Sequence, residues 1–344
     1  MGIMKLADLI RADAPESITH KQLGDYSGKI IAFDTSIIMN QFRCAVPNQT
    51  ISLLGVFYRT LTFLEHGIKP VFVFDGVPPD EKLAVLEKRA QNAGWGSYQR
   101  SPTVSSKTQD FLRLLPLLGV PCVQAPSEAE ACCAQLVRSG VVDAVASEDM
   151  DTLAFGGVLL LRQLNANSGS DVTEYSLPKL LEILQLSQEE FVDLCILLGC
   201  DFCDKIMGLG PTRALKLIQQ HRTIEGVMLN INRKTHPVPE EWQYEAARRL
   251  FLNPPPVEPP CLQWTEPNEE ELVKFLCQEK RAKEERVRGR IQTFRQNQAY
   301  KREKEEKKEG DTNQASMNDF YPVTRKRWSA EAGGSRATKQ PKAN

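Results

Sequence analysis

At 344 residues and 41% apolar composition, the chain can bury a large core, which excludes a minimal binding module. Its formal charge of −1, from 43 basic and 44 acidic residues, excludes a protein that clings to polyanions by bulk charge alone. Nine cysteines, odd in number and without a repeated spacing, exclude a disulfide framework and point to a reducing compartment.

In chain order, the first residues lack the apolar stretch of a secretory signal. Leu6 stands where a myristoylation signal needs Ser or Thr, so no lipid anchor is expected. No later apolar run approaches the roughly 20 residues of a membrane span. Short apolar, β-branched runs recur at Lys29–Phe33 (KIIAF), Val71–Phe74 (VFVF), Val120–Val123 (VPCV), Asp143–Ser147 (DAVAS) and Val158–Leu161 (VLLL), and each reads as a buried strand. Between the first two, Ile51, Leu54, Phe57, Tyr58, Leu61 and Leu64 recur at helical spacing. The alternation predicts an α/β fold with a mainly parallel central sheet flanked by helices.

Residues 92–106 (NAGWGSYQRSPTVSS) read as a loop between two halves of the core, residues 1–93 and 94–221. A helical section runs from Leu177 to His221. A C-terminal helical extension covers 222–309, interrupted by the proline-rich stretch Phe251–Pro260 (FLNPPPVEPP), which wraps the surface before a helix near Glu269–Cys277. From 310 to 344 the chain is polar and basic, and disorder is expected there. No internal repeat is present.

Acids follow the strand runs directly or within a few residues: Asp34 after KIIAF, Asp75 after VFVF, and Asp149 with Asp151 after DAVAS. Glu128 and Glu130 (SEAEA) stand where a helix begins, and Asp201 follows Gly199-Cys200. Taken singly, each has a plain structural role: a strand-end cap, a turn, or the Ser127/Glu130 capping box. Ligands of open α/β sheets, however, bind outside the carboxyl ends of the strands, where these acids would converge. Such a cluster repels itself unless cations are bound, and an all-oxygen set without His or Cys selects hard ions, Mg²⁺ or Mn²⁺. The surplus of acids suggests two ions about 4 Å apart, suited to in-line phosphodiester hydrolysis. With those charges neutralised, the rest of the chain is net basic. Cys200 and Cys203 form one CxxC with no second pair and no nearby His, so they are read as structural rather than as a zinc site.

The runs MGI, VFVFDG-x-PP, APSEAEA, SEDMD, FVDLCILLG-x-D and GLGP-x-RAL, in this order, resemble the XPG-type flap endonuclease family over about residues 1–280. The resemblance implies one metal site of Asp34, Asp75, Glu128 and Glu130 and a second of Asp149, Asp151 and Asp201. It implies phosphate contacts by Lys82 and Arg89, which are seven apart and share a helix face. Further DNA contacts are implied at Arg59, Glu128, Gly199 and Asp201, and at Gly208 and Gly210, which open a helix carrying Arg213 and Lys216. That helix start resembles a helix-two-turn-helix element closed around a monovalent cation. Gln314, Met317, Phe320 and Tyr321 have the form Q-x-x-M-x-x-F-Y of a sliding-clamp (proliferating cell nuclear antigen) binding box.

A monomeric 5′ flap endonuclease with 5′ to 3′ exonuclease activity is implied, acting in Okazaki-fragment processing and base excision repair. Its expected places are the nucleus, in nucleoplasm and nucleolus, and the mitochondrion. The basic clusters Lys301–Lys308 and Arg325–Arg327 fit nuclear entry. Departures from the family pattern are Asn40 in place of a base-stacking aromatic, Pro47 in place of an arginine, a shortened segment between Val46 and Ile51, and a short, Gly94- and Gly96-containing stretch where the family builds a helical arch. They keep a second reading open: a clamp-associated, DNA-binding paralogue with weak or altered gap or junction nuclease activity.

Overall fold

The computed structural model describes residues 2–36, 38–39, 49–92, 106–164 and 171–318; within its helices the side chains of 49, 86, 88–92, 106–107 and 305–318 are not described. The chain divides into two compact units, Met1–Arg295 and Gln296–Asn344.

The first unit is organised on a seven-stranded sheet. Strands β1 (Ile18–Lys21), β2 (Ile30–Asp34), β3 (Lys69–Phe74), β4 (Cys122–Gln124), β5 (Ala144–Ala146), β6 (Leu159–Arg162) and β7 (Val172–Ser176) lie in the order β1-β7-β6-β5-β2-β3-β4. β6, β5, β2, β3 and β4 pair in parallel, as the apolar runs predicted. β7 pairs antiparallel with β6 and β1 antiparallel with β7. Sequence patterning missed these two edge strands. ITHK and VTEYS are short and half polar, which an edge tolerates and a central parallel strand does not.

The chain passes from β2 outward through β3 to β4, then returns to place β5 on the other side of β2. The crossover direction therefore reverses between β2 and β5, and a crevice opens beyond their carboxyl ends. On one face Phe33 of β2 stacks with Phe63 at 4.9 Å and with Phe72 at 5.3 Å. On the other, Ala32, Val71, Val73 and Val145 pack with Ala129, Cys132 and Cys133, residues small enough to bring a helix close to the strands. That is why the helix carrying Glu130 lies against β2 at the crevice.

In chain order the helices are α1 (Leu6–Asp13), α2 (Gln49–Glu65), α3 (Asp80–Asn92), α4 (Ser106–Leu117), α5 (Ala129–Arg138), α6 (Asp151–Ala154), α7 (Leu177–Leu184), α8 (Gln188–Leu198), α9 (Pro211–His221), α10 (Ile224–Asn230), α11 (Tyr244–Leu252), α12 (Glu269–Val273) and α13 (Glu284–Asn318). Ser187 caps α8 in a reciprocal box with Glu190, and Gly199, at φ 108°, ends it. The Arg248 guanidinium donates to Asp193 at 2.6 and 2.7 Å and to Glu225 at 2.9 Å, while Asp193 also accepts the Ile224 N–H at 2.9 Å. One cation thus locks α8, α10 and α11 together. The proline-rich segment has no regular structure, as expected; Gln135 pins it by donating to the Pro255 carbonyl and accepting from the Val257 N–H.

The α13 helix is described through Asn318. Its Lys, Glu, Gln and Arg content carries strong helix propensity without needing an apolar face. Among the described residues, no helix is long and apolar enough to cross a membrane.

Candidate active site

Asp34 is the last residue of β2 and is fully buried. Its Oδ1 accepts the Ser36 N–H at 3.0 Å and the Ser36 hydroxyl at 2.7 Å, and its Oδ2 accepts the Ser147 hydroxyl at 3.2 Å. Asp75 follows β3 and accepts the N–H of Ala129, the first residue of α5, at 2.9 Å. The N-cap position of α5 is Glu128, with no side-chain cap of its own, so the Ser127/Glu130 capping box does not form. Glu128 and Glu130 are therefore free of a capping role, and both are buried. Asp149 does serve its turn, since its Oδ1 accepts the Asp151 N–H at 3.0 Å. Asp151, at the head of α6, holds its Oδ1 buried with no hydrogen-bond donor.

The seven acids form one electrostatic network. Burial, then Asp75 and Asp149, push Asp34 up to about 7, against the pull of its Ser36 hydrogen bonds. Burial, then Asp34, Asp75 and Asp149, push Glu130 well above the ordinary carboxylate range. Burial, then Asp149, Cys200 and Asp201, do the same to Asp151. Glu128 is raised by burial, with Asp75 and Asp201 adding to it, while Lys82 pulls it back. Lys82, from the first turn of α3, donates its Nζ to Glu128 Oε2. Burial disfavours the charge on Lys82, but Glu128, Glu130 and Asp75 outweigh it and raise its pKa. A cation is thus already seated on one of these carboxylates.

As the side chains stand, no three acids among the described residues are close enough to hold one ion. The donor set nonetheless suits hard cations. It is all oxygen, its members raise one another's pKa values, and it includes a buried carboxylate oxygen lacking any donor. Side-chain rotation is the adjustment that binding would require.

The other expected residues divide. Arg59 lies on α2 beside Glu148 and lines a small cavity with Asp34, Ser147 and Glu148; burial lowers its pKa and Glu148 opposes that. Gly199 links α8 to the start of the chain, its carbonyl accepting the Met4 N–H at 3.1 Å. Asp201, half-buried, opens the loop from α8 to α9, and Gly208 and Gly210 close it. Gly208 has φ 73°, and Gly210 is the N-cap of α9 with Pro211 at the first helical position. The side chains of Arg89, Gln314 and Met317, and all of Asn40, Pro47, Gly94, Gly96, Phe320 and Tyr321, lie outside the described residues.

Gly2 was not singled out as a site residue in the sequence. It has φ 80°, and a Cβ placed on it would fall 1.8 Å from Asp149 Oδ1 and 2.7 Å from Asp151 Oδ1. The MGI motif contains it, but contacts between residues far apart in sequence, the Met4–Gly199 hydrogen bond and the burial of Ile3 in the core, bring it there. Gly2→Ala should displace Asp149 and lower Mg²⁺ affinity about tenfold or more, a factor worth about 1.4 kcal/mol. The check is a Mg²⁺ titration of cleavage, with thermal unfolding in EDTA held within a few degrees of wild type. Equal Mg²⁺ dependence for the two proteins would show that the close approach is relieved without touching the site.

Residues 1–94 match the XPG N-terminal domain and residues 119–201 the XPG I-region. The chain is 63% identical over 331 residues to a probable flap endonuclease 1 homolog of Danio rerio, covering 95% of each chain. It is 40% identical over 358 residues to flap endonuclease 1 of Homo sapiens, covering 94% of this chain and 91% of the human one. Among solved structures, flap endonuclease-1 from Methanococcus jannaschii superposes with a TM-score of 0.66 at 27% identity, over 83% of this chain and 97% of that one.

Proposed function

The chain belongs to the XPG and flap endonuclease family, and on that premise we propose that it is a structure-specific 5′ flap endonuclease with 5′ to 3′ exonuclease activity that hydrolyses DNA phosphodiesters near single-strand to double-strand junctions. One observation carries this reading: acids from five separate segments meet in one mutually repelling cluster where the sheet changes direction. Asp34, Asp75, Glu128 and Glu130 would hold one divalent ion, and Asp149, Asp151 and Asp201 another, Mg²⁺ by preference with Mn²⁺ as a substitute. Bound there, such ions supply charge to the attacking and leaving oxygens of an in-line displacement. The protein's own contribution is positional. Asp75 ties the start of α5 to the end of β3, Ser36 and Ser147 orient Asp34, and Lys82 holds a donor at the crevice edge for a phosphate oxygen. Arg89, one face along the same helix, would join it.

The duplex flank of the substrate would rest on the α8–α9 loop. The amide-rich start of α9 and exposed Arg213 and Lys216 suit backbone phosphates there, with a monovalent cation closing the turn. The Gln314–Tyr321 box suits docking on a sliding clamp. The family's roles in Okazaki-fragment maturation and base excision repair support a reading of the protein as nuclear, with the mitochondrion as a second site.

Asn40 and the shortened segments favour one alternative, a clamp-bound paralogue that binds flaps tightly but cuts slowly or on gaps and junctions. Stacking lost with an aromatic is worth roughly 1 to 3 kcal/mol per base. The full-length protein incubated in Mg²⁺ with labelled double-flap, gapped, nicked and four-way DNA separates the two. Fastest cleavage at the flap junction is expected. Faster cutting of gap or four-way substrates, or tight flap binding with negligible cutting, would favour the alternative.

A further inference from the structure

A second polar cavity, of about 270 Å³, lies on the sheet face formed by β1, β7 and β6. Its floor is made by residues that the strand register sets on one face: Ile18 beside Tyr175, His20 beside Thr173, and Thr173 beside Arg162. Arg11, near the end of α1, contributes to its rim, and among the described residues no carboxylate lines it.

One donor beside this cavity is under-used. The Arg162 Nε makes no hydrogen bond of good geometry, although it is ion-paired with Glu148 Oε2 at 3.4 Å and the guanidinium lies 6.0 Å over the Tyr175 ring. Its Nη1 reaches only the Met150 sulfur, at 3.6 Å, a weak acceptor. Arg11 has one exposed ion pair, with Asp8 at 2.7 Å. Two guanidinium groups and an imidazole lining one cavity are the chemistry that recognises a tetrahedral oxyanion. The position is informative too. Met150, which Arg162 touches, is the residue between Asp149 and Asp151, so the cavity adjoins the carboxylate crevice.

We propose that this cavity is a phosphate-binding pocket, in which Arg162, Arg11 and His20 hold a backbone phosphate of the DNA strand next to the carboxylate crevice. The proposal rests on the nuclease reading above, and it adds a contact separate from both the α9 start and Lys82. A cavity of this size admits one phosphate with its sugar, not a duplex.

The test is binding of fluorescent flap DNA to the full-length protein in Ca²⁺, followed between about 50 and 200 mM salt, where each lost phosphate contact lowers the slope of log affinity against log salt by about 0.7 to 0.9. Arg11→Gln and Arg162→Gln should each weaken binding three- to tenfold, as estimated from the loss of a charge-assisted phosphate contact, and reduce the slope, whereas Arg162→Lys should retain it. Arg11 is exposed, and its one ion pair is the surface contact with Asp8, so its replacement should leave folding intact. An unchanged slope and affinity for Arg11→Gln, with wild type binding flap DNA normally, would overturn the pocket assignment. Failure of the wild type to bind flap DNA would instead remove the functional reading beneath it. A third arm uses inorganic phosphate. If phosphate raises the melting temperature of wild type but not of Arg162→Gln, while both bind DNA with the same salt slope, the pocket takes free phosphate and its assignment to the DNA strand is wrong.

Discussion

Asp151→Asn should lower flap cleavage in Mg²⁺ by about 10³-fold or more, while raising the melting temperature of the metal-free protein. The two effects have one origin. Asp151 is buried, its Oδ1 lacks a donor, and burial together with Asp149 and Asp201 opposes its ionisation. In metal-free protein that charge is a net cost, and an amide of the same shape removes it while adding N–H donors among acceptors. A gain of about 1 to 2 kcal/mol corresponds to a few degrees for a domain of this size. In the loaded enzyme the same oxygen is the one most available to a cation, and losing a metal ligand at the reacting phosphate costs about 4 kcal/mol of barrier, or three powers of ten. Initial rates at saturating Mg²⁺ and thermal scans in EDTA measure the two sides. A variant that loses both activity and metal-free stability would mean that Asp151 is a structural turn residue.

The metal-free protein should also lose stability as pH rises from about 4 to 8, and Mg²⁺ should abolish that loss. Asp34 moves from 3.8 to about 7, mainly through burial and then through Asp75, and Glu130 and Asp151 are raised as well. The folded chain then binds more protons than the unfolded chain across this window, so unfolding becomes easier as pH rises through it. For Asp34 alone the cost after ionisation is on the order of 4 kcal/mol. Below about pH 4 the sign reverses. Glu225 is lowered to about 2 by its hydrogen bond with Arg248, so the stability it lends is lost as acid protonates it. Melting curves in EDTA should therefore peak near pH 4 to 5. In Mg²⁺ the stabilisation should grow with pH, because binding requires ionised carboxylates. Parallel pH profiles with and without Mg²⁺ would separate the raised pKa values from metal binding.

Much of this site was legible in the sequence because strand runs and acids are local features. KIIAF-Asp34 and VFVF-Asp75 announce a buried strand and what stands at its end, and the parallel sheet follows from both faces being apolar. The edge strands β1 and β7 were not legible. The half-polar residues of β1 acquire a strand's hydrogen bonds only by pairing with β7, some 150 residues away, and β7 gains its own by lying between β6 and β1. For the same reason the cavity under Arg11 and Arg162 was invisible, since its floor is built by that pairing. The plain structural roles of the acids were half right. Asp75 and Asp149 do bond backbone N–H groups, and Asp34 its Ser36 neighbour, but the predicted capping box at Glu130 does not form.

By itself, then, the sequence determined the class of chemistry. Seven acids at or near strand ends suit hard cations, and their order along the chain with the surrounding motifs marks the family. What only the tertiary structure decided is how those acids act on one another. Reversal of strand order between β2 and β5 places Asp34 beside Asp149, and the close approach of α5 buries Glu130 between them. The Met4–Gly199 hydrogen bond sets Gly2 on Asp149. A carboxylate's pKa depends on distances and burial that connect residues far apart in sequence, and the mutual repulsion within this cluster exists only once the chain has closed around it.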